Sequence, residues 1–258
     1  MKNCEIFSNL KVPCGSKIVI RADGRNFSSL SHELELERPY DENFSNLMID
    51  VCSDFFIEFS PEFIFTFSDE INILMSEIPF NGRIEKLNSV FASFIAGSFT
   101  KNMAKYSKNF FKNEPINLKP VSFDSRVIPL YDNGVVEYFK NRQNQAWRNC
   151  LNGYSYWKLR EEYGKNRAVE ILDKKKSNEL HEILFKKGLN LNEVPTWHKR
   201  GIGMYKKIIP IKGYNPVNNE YVTSNRLKIY TDLELPLFDE GFFNSLPNSN
   251  ILNKKIKL

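Results

Sequence analysis

Residues 17–23 form a short β-rich apolar run that stops at Gly24, the pattern of a strand. Further on the period changes. Phe44, Leu47, Met48, Val51 and Phe55 fall at helical spacing behind Pro39, so an amphipathic helix is predicted with Asp41 as its N-cap. Residues 63–75 hold two apolar runs around a polar tip. Those side chains cannot all face water, so they predict a hairpin at the centre of the fold. A second helix is predicted over residues 84–106, turning Leu87, Phe91, Phe94 and Ile95 inward, and another strand over 121–131. Strand, helix, hairpin, helix and strand in this order predict an α+β fold, an antiparallel sheet with helices on one face. A long helix follows over 135–163, then shorter ones over 167–172 and 179–187. After Pro195, residues 199–211 and 221–230 predict a terminal hairpin around an Asn-rich loop. The polar, basic stretch 248–258 is expected to be disordered.

Composition narrows the function classes. With 258 residues, 41% of them hydrophobic and 21 of them Phe, the chain can bury a sizeable core. No apolar run reaches the roughly 18 residues of a membrane helix, and the polar N-terminus does not resemble a signal peptide. Four cysteines without a C-x-x-C pair are expected to be reduced cytoplasmic thiols, and three dispersed histidines argue against a His/Cys zinc site. The net charge of +5 is unevenly spread: residues 1–132 are net acidic and residues 133–258 strongly basic. That division suits an acidic metal site joined to a polyanion-binding surface.

Asp23 ends an apolar strand, and Asp69 and Glu70 lie at the hairpin tip. A buried carboxylate is costly unless paired or metal-bound. Were the two strands neighbours, Asp23 and Asp69 would share one site and call for a cation, for which Mg²⁺ is the natural choice because it shares hard oxygen ligands with phosphates. Two such ions about 4 Å apart can activate a hydroxyl and stabilise a leaving pyrophosphate. Gly24, lacking a side chain, would let a triphosphate or metal approach its backbone. Arg83 and Lys86 share one helix face and suit phosphate, with Arg21, Arg25 and Arg126 as further contacts. Spacing alone leaves open that 23–24 is a plain turn, 68–70 a plain hairpin loop and Arg83/Lys86 a solvated helix face.

The ordered set of residues 21–28 (RADGRNFS), 67–70 (FSDE), Arg83-x-x-Lys86, 123–126 (FDSR), 141–143 (NRQ), 182–185 (EILF) and 197–201 (WHKRG) resembles the tRNA-histidine guanylyltransferase family, from about residue 18 to 207. The resemblance implies a polymerase-palm-like, ferredoxin-like sheet over 1–132 that adds nucleotides in the 3′-to-5′ direction. It implies a helical and hairpin region over 133–258 for tRNA binding and oligomerisation, the two regions packed as one compact unit. It implies that Asp23, Gly24 and Asp69 hold two Mg²⁺ ions, that Asp23, Asp69 and Glu70 are catalytic, and that Asp23, Gly24, Arg25, Asn26, Phe27, Ser28, Ser68, Asp69, Arg83 and Lys86 bind nucleotide. GTP and ATP are the implied substrates, ATP activating a 5′-monophosphate on tRNA, and the implied assembly is a homotetramer, a dimer of dimers. Arg126, Arg142, Arg148, Lys199 and Arg200 are expected on RNA phosphates, and Trp147 or Trp197 on a base. Where anticodon-reading members carry His-Ile-Asn-Asn, this chain has Trp147-Arg148-Asn149-Cys150. With the 197–201 segment, that favours the Thg1-like branch and template-dependent 5′-end repair. A palm-fold nucleotidyl cyclase would use the same paired aspartates but not the basic second half. A catalytically silent RNA-binding protein would have no use for the retained acidic and basic set.

Overall fold

The computed structural model describes residues 5–110, 119–131 and 134–247. The expected tail 248–258 lies outside them. Six strands form one antiparallel sheet in the order β4-β1-β3-β2-β5-β6. They are β1 (Lys17–Gly24), β2 (Phe63–Phe67), β3 (Glu70–Leu74), β4 (Phe123–Leu130), β5 (Ile202–Asn215) and β6 (Glu220–Asp232). Four precede residue 132 and two follow it, so both halves of the chain build the sheet. Among the described residues, no helix is long and apolar enough to cross a membrane.

Helices cover both faces, not the single face expected. Ile18, Ile20, Ala22, Ile64, Ile71 and Ile73 point to one side and pack on α2 (Glu42–Phe59) and α3 (Ile84–Phe110). Val19, Phe63, Phe65 and Leu74 point to the other and meet Val135, Val136 and Phe139 of α4 (Gly134–Leu172) and a C-terminal helix, Glu240–Ser245. A strand buried on both faces loses the apolar/polar alternation, which is why β2 is apolar almost throughout and is buried at every position. Asp41 caps α2 as expected, its Oδ1 accepting from the Phe44 amide at 2.8 Å.

The predicted long helix continues to Leu172, with a non-helical step at Gly164 (φ 77°). Beyond the expected elements, the chain forms a short α1 (Phe27–Glu33). Further along, α5 (Ser177–Lys186) packs Leu180 and Leu184 against Cys150 and Leu151 of α4, and α6 (Thr196–Arg200) leads into β5.

Phe63 sits at the centre of the second core. It is fully buried, with T-shaped contacts to Phe139 at 5.2 Å, Phe243 at 5.6 Å and Phe238 at 5.7 Å. Replacing Phe63 with Ala is expected to lower the unfolding free energy by about 3–5 kcal/mol in a urea titration. A loss under about 1 kcal/mol would contradict a core on this face.

Candidate functional site

The site is built where β1 ends beside the β2–β3 turn. Asp23 pairs in register with Glu70 on one side and Asp124 on the other, so three carboxylates share one sheet face. Glu70 is the first residue of β3; the turn itself is Ser68-Asp69, with Ser68 at φ 53°. The Gly24 amide donates to the Asp69 carbonyl oxygen at 3.2 Å, which fastens the strand end to the turn. Asp23 and Asp69, 46 positions apart in the chain, thereby become neighbours.

Burial, and next the charge of Asp23, raise the Asp69 carboxyl above its usual range; Ser68 Oγ, 3.0 Å from Oδ1, pulls the other way. Asp23 is raised by burial and then by Asp124, against the opposing pull of Arg21, Arg126 and Arg142. Among the described residues neither Asp23 nor Asp69 is held in an ion pair. Both therefore keep oxygens free for a cation.

Glu70 is committed differently. Its Oε1 lies 3.0 Å from Arg142 Nε and accepts from Asn72 Nδ2 at 2.8 Å, while Asn72 Oδ1 accepts from Tyr138 Oη at 2.5 Å. The Arg142 Nε–H is not aimed at Glu70 and finds no hydrogen-bond partner, so this is a contact of charges. Arg142 also lies over the Phe67 ring at 5.9 Å. It is thus largely enclosed at the carboxylates and not on an open RNA-facing surface.

Arg126 likewise belongs here. It stands opposite Arg21 in the β1–β4 register and lies 3.3 Å from Asp124. Arg21, Arg126 and Arg142 place three guanidinium groups around Asp23, a set suited to phosphate oxygens. Arg83 and Lys86 lie at the start of α3, where the Arg83 backbone pairs with Lys11 and Asn88 accepts from Ser125 of β4. Among the described residues no hydrogen bond or ion pair joins them to either aspartate.

Beside Asp69 opens a cavity of about 350 Å³, within the range of small-molecule sites. Phe27, Ser28, Ser68 and Asp69 line one side and the loop from Leu36 to Asp41 the other. Phe27 reaches it from the core: it is buried, with edge contacts to Phe44, Phe99 and Phe123. Its ring also explains Gly24. A Cβ there would lie 2.3 Å from Phe27 Cδ2, so the missing side chain makes room for the Phe27 ring. Arg25 and Asn26 line a separate, shallower cavity with Lys119.

The loop wall was not foreseen. Asp41 Oδ2 accepts from the Glu37 amide at 2.9 Å. Tyr40 donates to the His198 carbonyl at 3.0 Å and stacks on the His198 ring at 4.2 Å, while Tyr154 Oη lies 2.7 Å from His198 Nδ1. The loop is thereby tied to α4 and α6. Trp197 and Trp147 are engaged within the protein, against Tyr40 and His181. Lys199 donates to the Asn192 carbonyl and Arg200 to that of Leu235, so each holds a loop; Arg148 is exposed.

Two aspartates and a peptide carbonyl are hard oxygen donors. No group of three His, Cys, Asp or Glu side chains is placed for metal binding among the described residues. Two carboxylates match what Mg²⁺ needs, because this ion completes its shell with water and phosphate oxygens.

The family profile described as tRNA-His guanylyltransferase (Thg1) matches residues 1–131. A tRNA(His) guanylyltransferase of Saccharomyces cerevisiae is 32% identical over 194 residues, 71% of this chain and 80% of that one. This chain belongs to the tRNA-histidine guanylyltransferase family. It is accordingly a nucleotidyltransferase enzyme. The crystal structure of the S. cerevisiae protein superposes with a TM-score of 0.68 at 29% identity, over 78% of this chain and 90% of the other. A bacterial Thg1-like protein, solved in complex with GTP, gives 0.66 at 22% identity over 92% and 91% of the two chains and supports the palm-like fold. The stretch matched by the family profile includes β1 and the β2–β3 turn, where the carboxylates meet.

Two outcomes follow from this packing. Gly24→Ala is expected to lose about 1–3 kcal/mol of stability by displacing Phe27, and Gly24→Ala/Phe27→Leu to regain part of it in a double-mutant cycle. Burial, aided by Lys199, lowers the His198 pKa from 6.5 to about 4. The folded protein then binds fewer protons than the unfolded chain inside that window. The stability His198 contributes is complete above pH 6.5 and is lost as pH falls towards 4. Denaturant titrations at pH 4.5 and 7.5 should show a smaller acid loss in His198→Gln than in the native chain; parallel losses would refute the assignment.

Proposed function

We propose that this enzyme extends the 5′ end of tRNA in the 3′-to-5′ direction, guided by the opposite strand of the acceptor stem. The observation that carries the reading is the Gly24–Asp69 hydrogen bond, which brings together two carboxylates held in no ion pair among the described residues, Asp69 lining a nucleoside-sized cavity. Asp23 and Asp69, with the Gly24 carbonyl, would hold Mg²⁺ ions. When bound, these supply a Lewis acid for the phosphoryl oxygens and favour the ionised form of an attacking hydroxyl.

The chain's own residues do the rest. The cavity between Ser28, Ser68 and the Leu36–Asp41 loop takes a nucleoside and excludes water from one side of the aspartates. Arg21 and Arg126 hold phosphate oxygens, and Arg142, kept in place by Glu70, adds a third cation. Glu70 therefore acts by positioning Arg142. Arg83 and Lys86 serve a triphosphate that reaches beyond β4. In the reaction, ATP first activates the 5′-monophosphate with loss of pyrophosphate. The 3′-hydroxyl of the incoming nucleotide then attacks that phosphorus, forming the new P–O bond and releasing AMP. A homotetramer, proposed on the family resemblance, is testable by light scattering.

The experiment combines the protein, Mg²⁺, labelled GTP and a tRNA lacking its first nucleotide. Extension at the 5′ end is expected, and Asp23→Asn and Asp69→Asn should each lower it by at least about 10³-fold, the scale of losing a charge-stabilising group, with melting temperatures unchanged or higher. Activity surviving both substitutions would end the proposal. Cyclic nucleotide formed without RNA would instead favour a cyclase, and RNA binding without any extension a silent binder.

A further inference from the structure

The strands β5 and β6 continue well past the sheet. β5 pairs with β2 only from Ile202 to Tyr205, yet its pairing with β6 runs on to Asn215. Because β5 starts beside Thr66 and runs antiparallel to β2, this two-stranded ribbon leaves from the end of the sheet opposite the Ser68-Asp69 turn. Between Lys206 and Lys228 it carries five cations, Lys206, Lys207, Lys212, Arg226 and Lys228, against one carboxylate, Glu220.

The register sorts these charges. Lys207 stands directly opposite Lys228, and Arg226 opposite Ile209, so Lys207, Arg226 and Lys228 crowd one face of the ribbon. All three are exposed, and among the described residues none makes an ion pair. Lys207 lies over the Tyr230 ring at 4.4 Å. Like charges directly opposite in an antiparallel pair destabilise it, on a scale of about 0.2–1 kcal/mol. With Glu220 at the far end of the ribbon and, among the described residues, no ion pair at these three cations, the cost stays until a polyanion removes it. By its register this is also the sheet face that carries Asp23 and Glu70, since Tyr205 opposes Phe63 and Phe67 opposes Glu70.

We infer that the Lys207–Arg226–Lys228 face of the β5–β6 ribbon is an RNA phosphate-binding surface, remote from the chemistry, that holds the body of the substrate. This rests on the reading above that the substrate is a tRNA. The cations begin roughly 15–25 Å beyond the level of Thr66 along the strand direction, from the rise of about 3.3 Å per residue. They grip RNA by charge, so affinity carries no base sequence but falls with salt. The opposite face carries Lys206 and Lys212 beside apolar side chains, with Ile208 59% and Leu227 47% exposed. That apolar pair makes a second copy the competing occupant of the ribbon.

The test uses the full chain, with Lys207→Ala/Arg226→Ala/Lys228→Ala against the native protein and a tRNA transcript lacking its first nucleotide. Expected are a tenfold or greater rise in the KM for tRNA, an unmoved KM for GTP, and a slope of log affinity against log salt flatter by about 2–3. The variant should fold at least as well as the native chain, since it loses the Lys207–Lys228 repulsion, and Lys207→Arg/Lys228→Arg should retain native affinity. An unchanged tRNA KM and salt slope would overturn the inference while leaving the proposed reaction standing. A change of particle mass in light scattering would also overturn it, marking the ribbon as a subunit contact. Absence of 5′ extension by the native protein would instead overturn the reading of the reaction.

Discussion

The hydrogen bond from the Gly24 amide to the Asp69 carbonyl joins the end of a central strand to a hairpin turn, and with it two carboxylates that would otherwise repel each other. Side chains alone could not keep them there: each is partly withdrawn from water and each is pushed towards its protonated form. The apolar sheet does it. Ile18, Ile20, Ile71 and Ile73 are fully or almost fully buried under α2 and α3, so β1 and β3 cannot slide without exposing them. Register in such a sheet is all or none, because a slip by one residue turns every side chain to the other face. The closeness of the two carboxylates is thus maintained by hydrophobic burial some distance from them.

Much of this was legible in the chain. The period of two in residues 17–23, the helical period after Asp41 and the apolar hairpin each follow from local pattern, and the carboxylates stood out because they interrupt apolar runs. The second helical layer was less visible, although the nearly unbroken apolar run of β2 is its signature. That Gly24 also makes room for the Phe27 ring was not legible, because Phe27 comes from a turn of helix too short to show a period. Glu70 and Arg142 are far apart in sequence, and only the topology brings them together. The same holds for Tyr40, Tyr154 and His198, which are distant in sequence and meet only in the fold. Arg126 is expected both as a phosphate contact near the carboxylates and on RNA, and its strand register sets it beside Asp23 and Asp124.

Charge distribution gains meaning from the fold as well. The basic excess of the second half is not one surface. Arg142 is spent on Glu70, Arg200 and Lys199 on loop carbonyls, and Lys187 on Glu162 and the Tyr163 ring. Among the described residues, exposed cations without an ion pair remain on the helices, such as Lys140, Arg148 and Lys165, and on the ribbon where β5 and β6 outrun the sheet.

Helix α4 touches the site twice. Through Tyr138 and Arg142 it meets Asn72 and Glu70, and through Cys150, Gly153 and Tyr154 it backs the Tyr40 loop that walls the cavity. Those two contacts are separated by about 18 Å of uninterrupted helix, at 1.5 Å per residue, and the break at Gly164 falls beyond both. The stretch between them is therefore a stiff ruler, which sets the gap between the charged floor and the aromatic wall. A lengthwise push on that rod shifts both boundaries together, so the width of the opening is preserved even if the far end of the helix swings about its glycine.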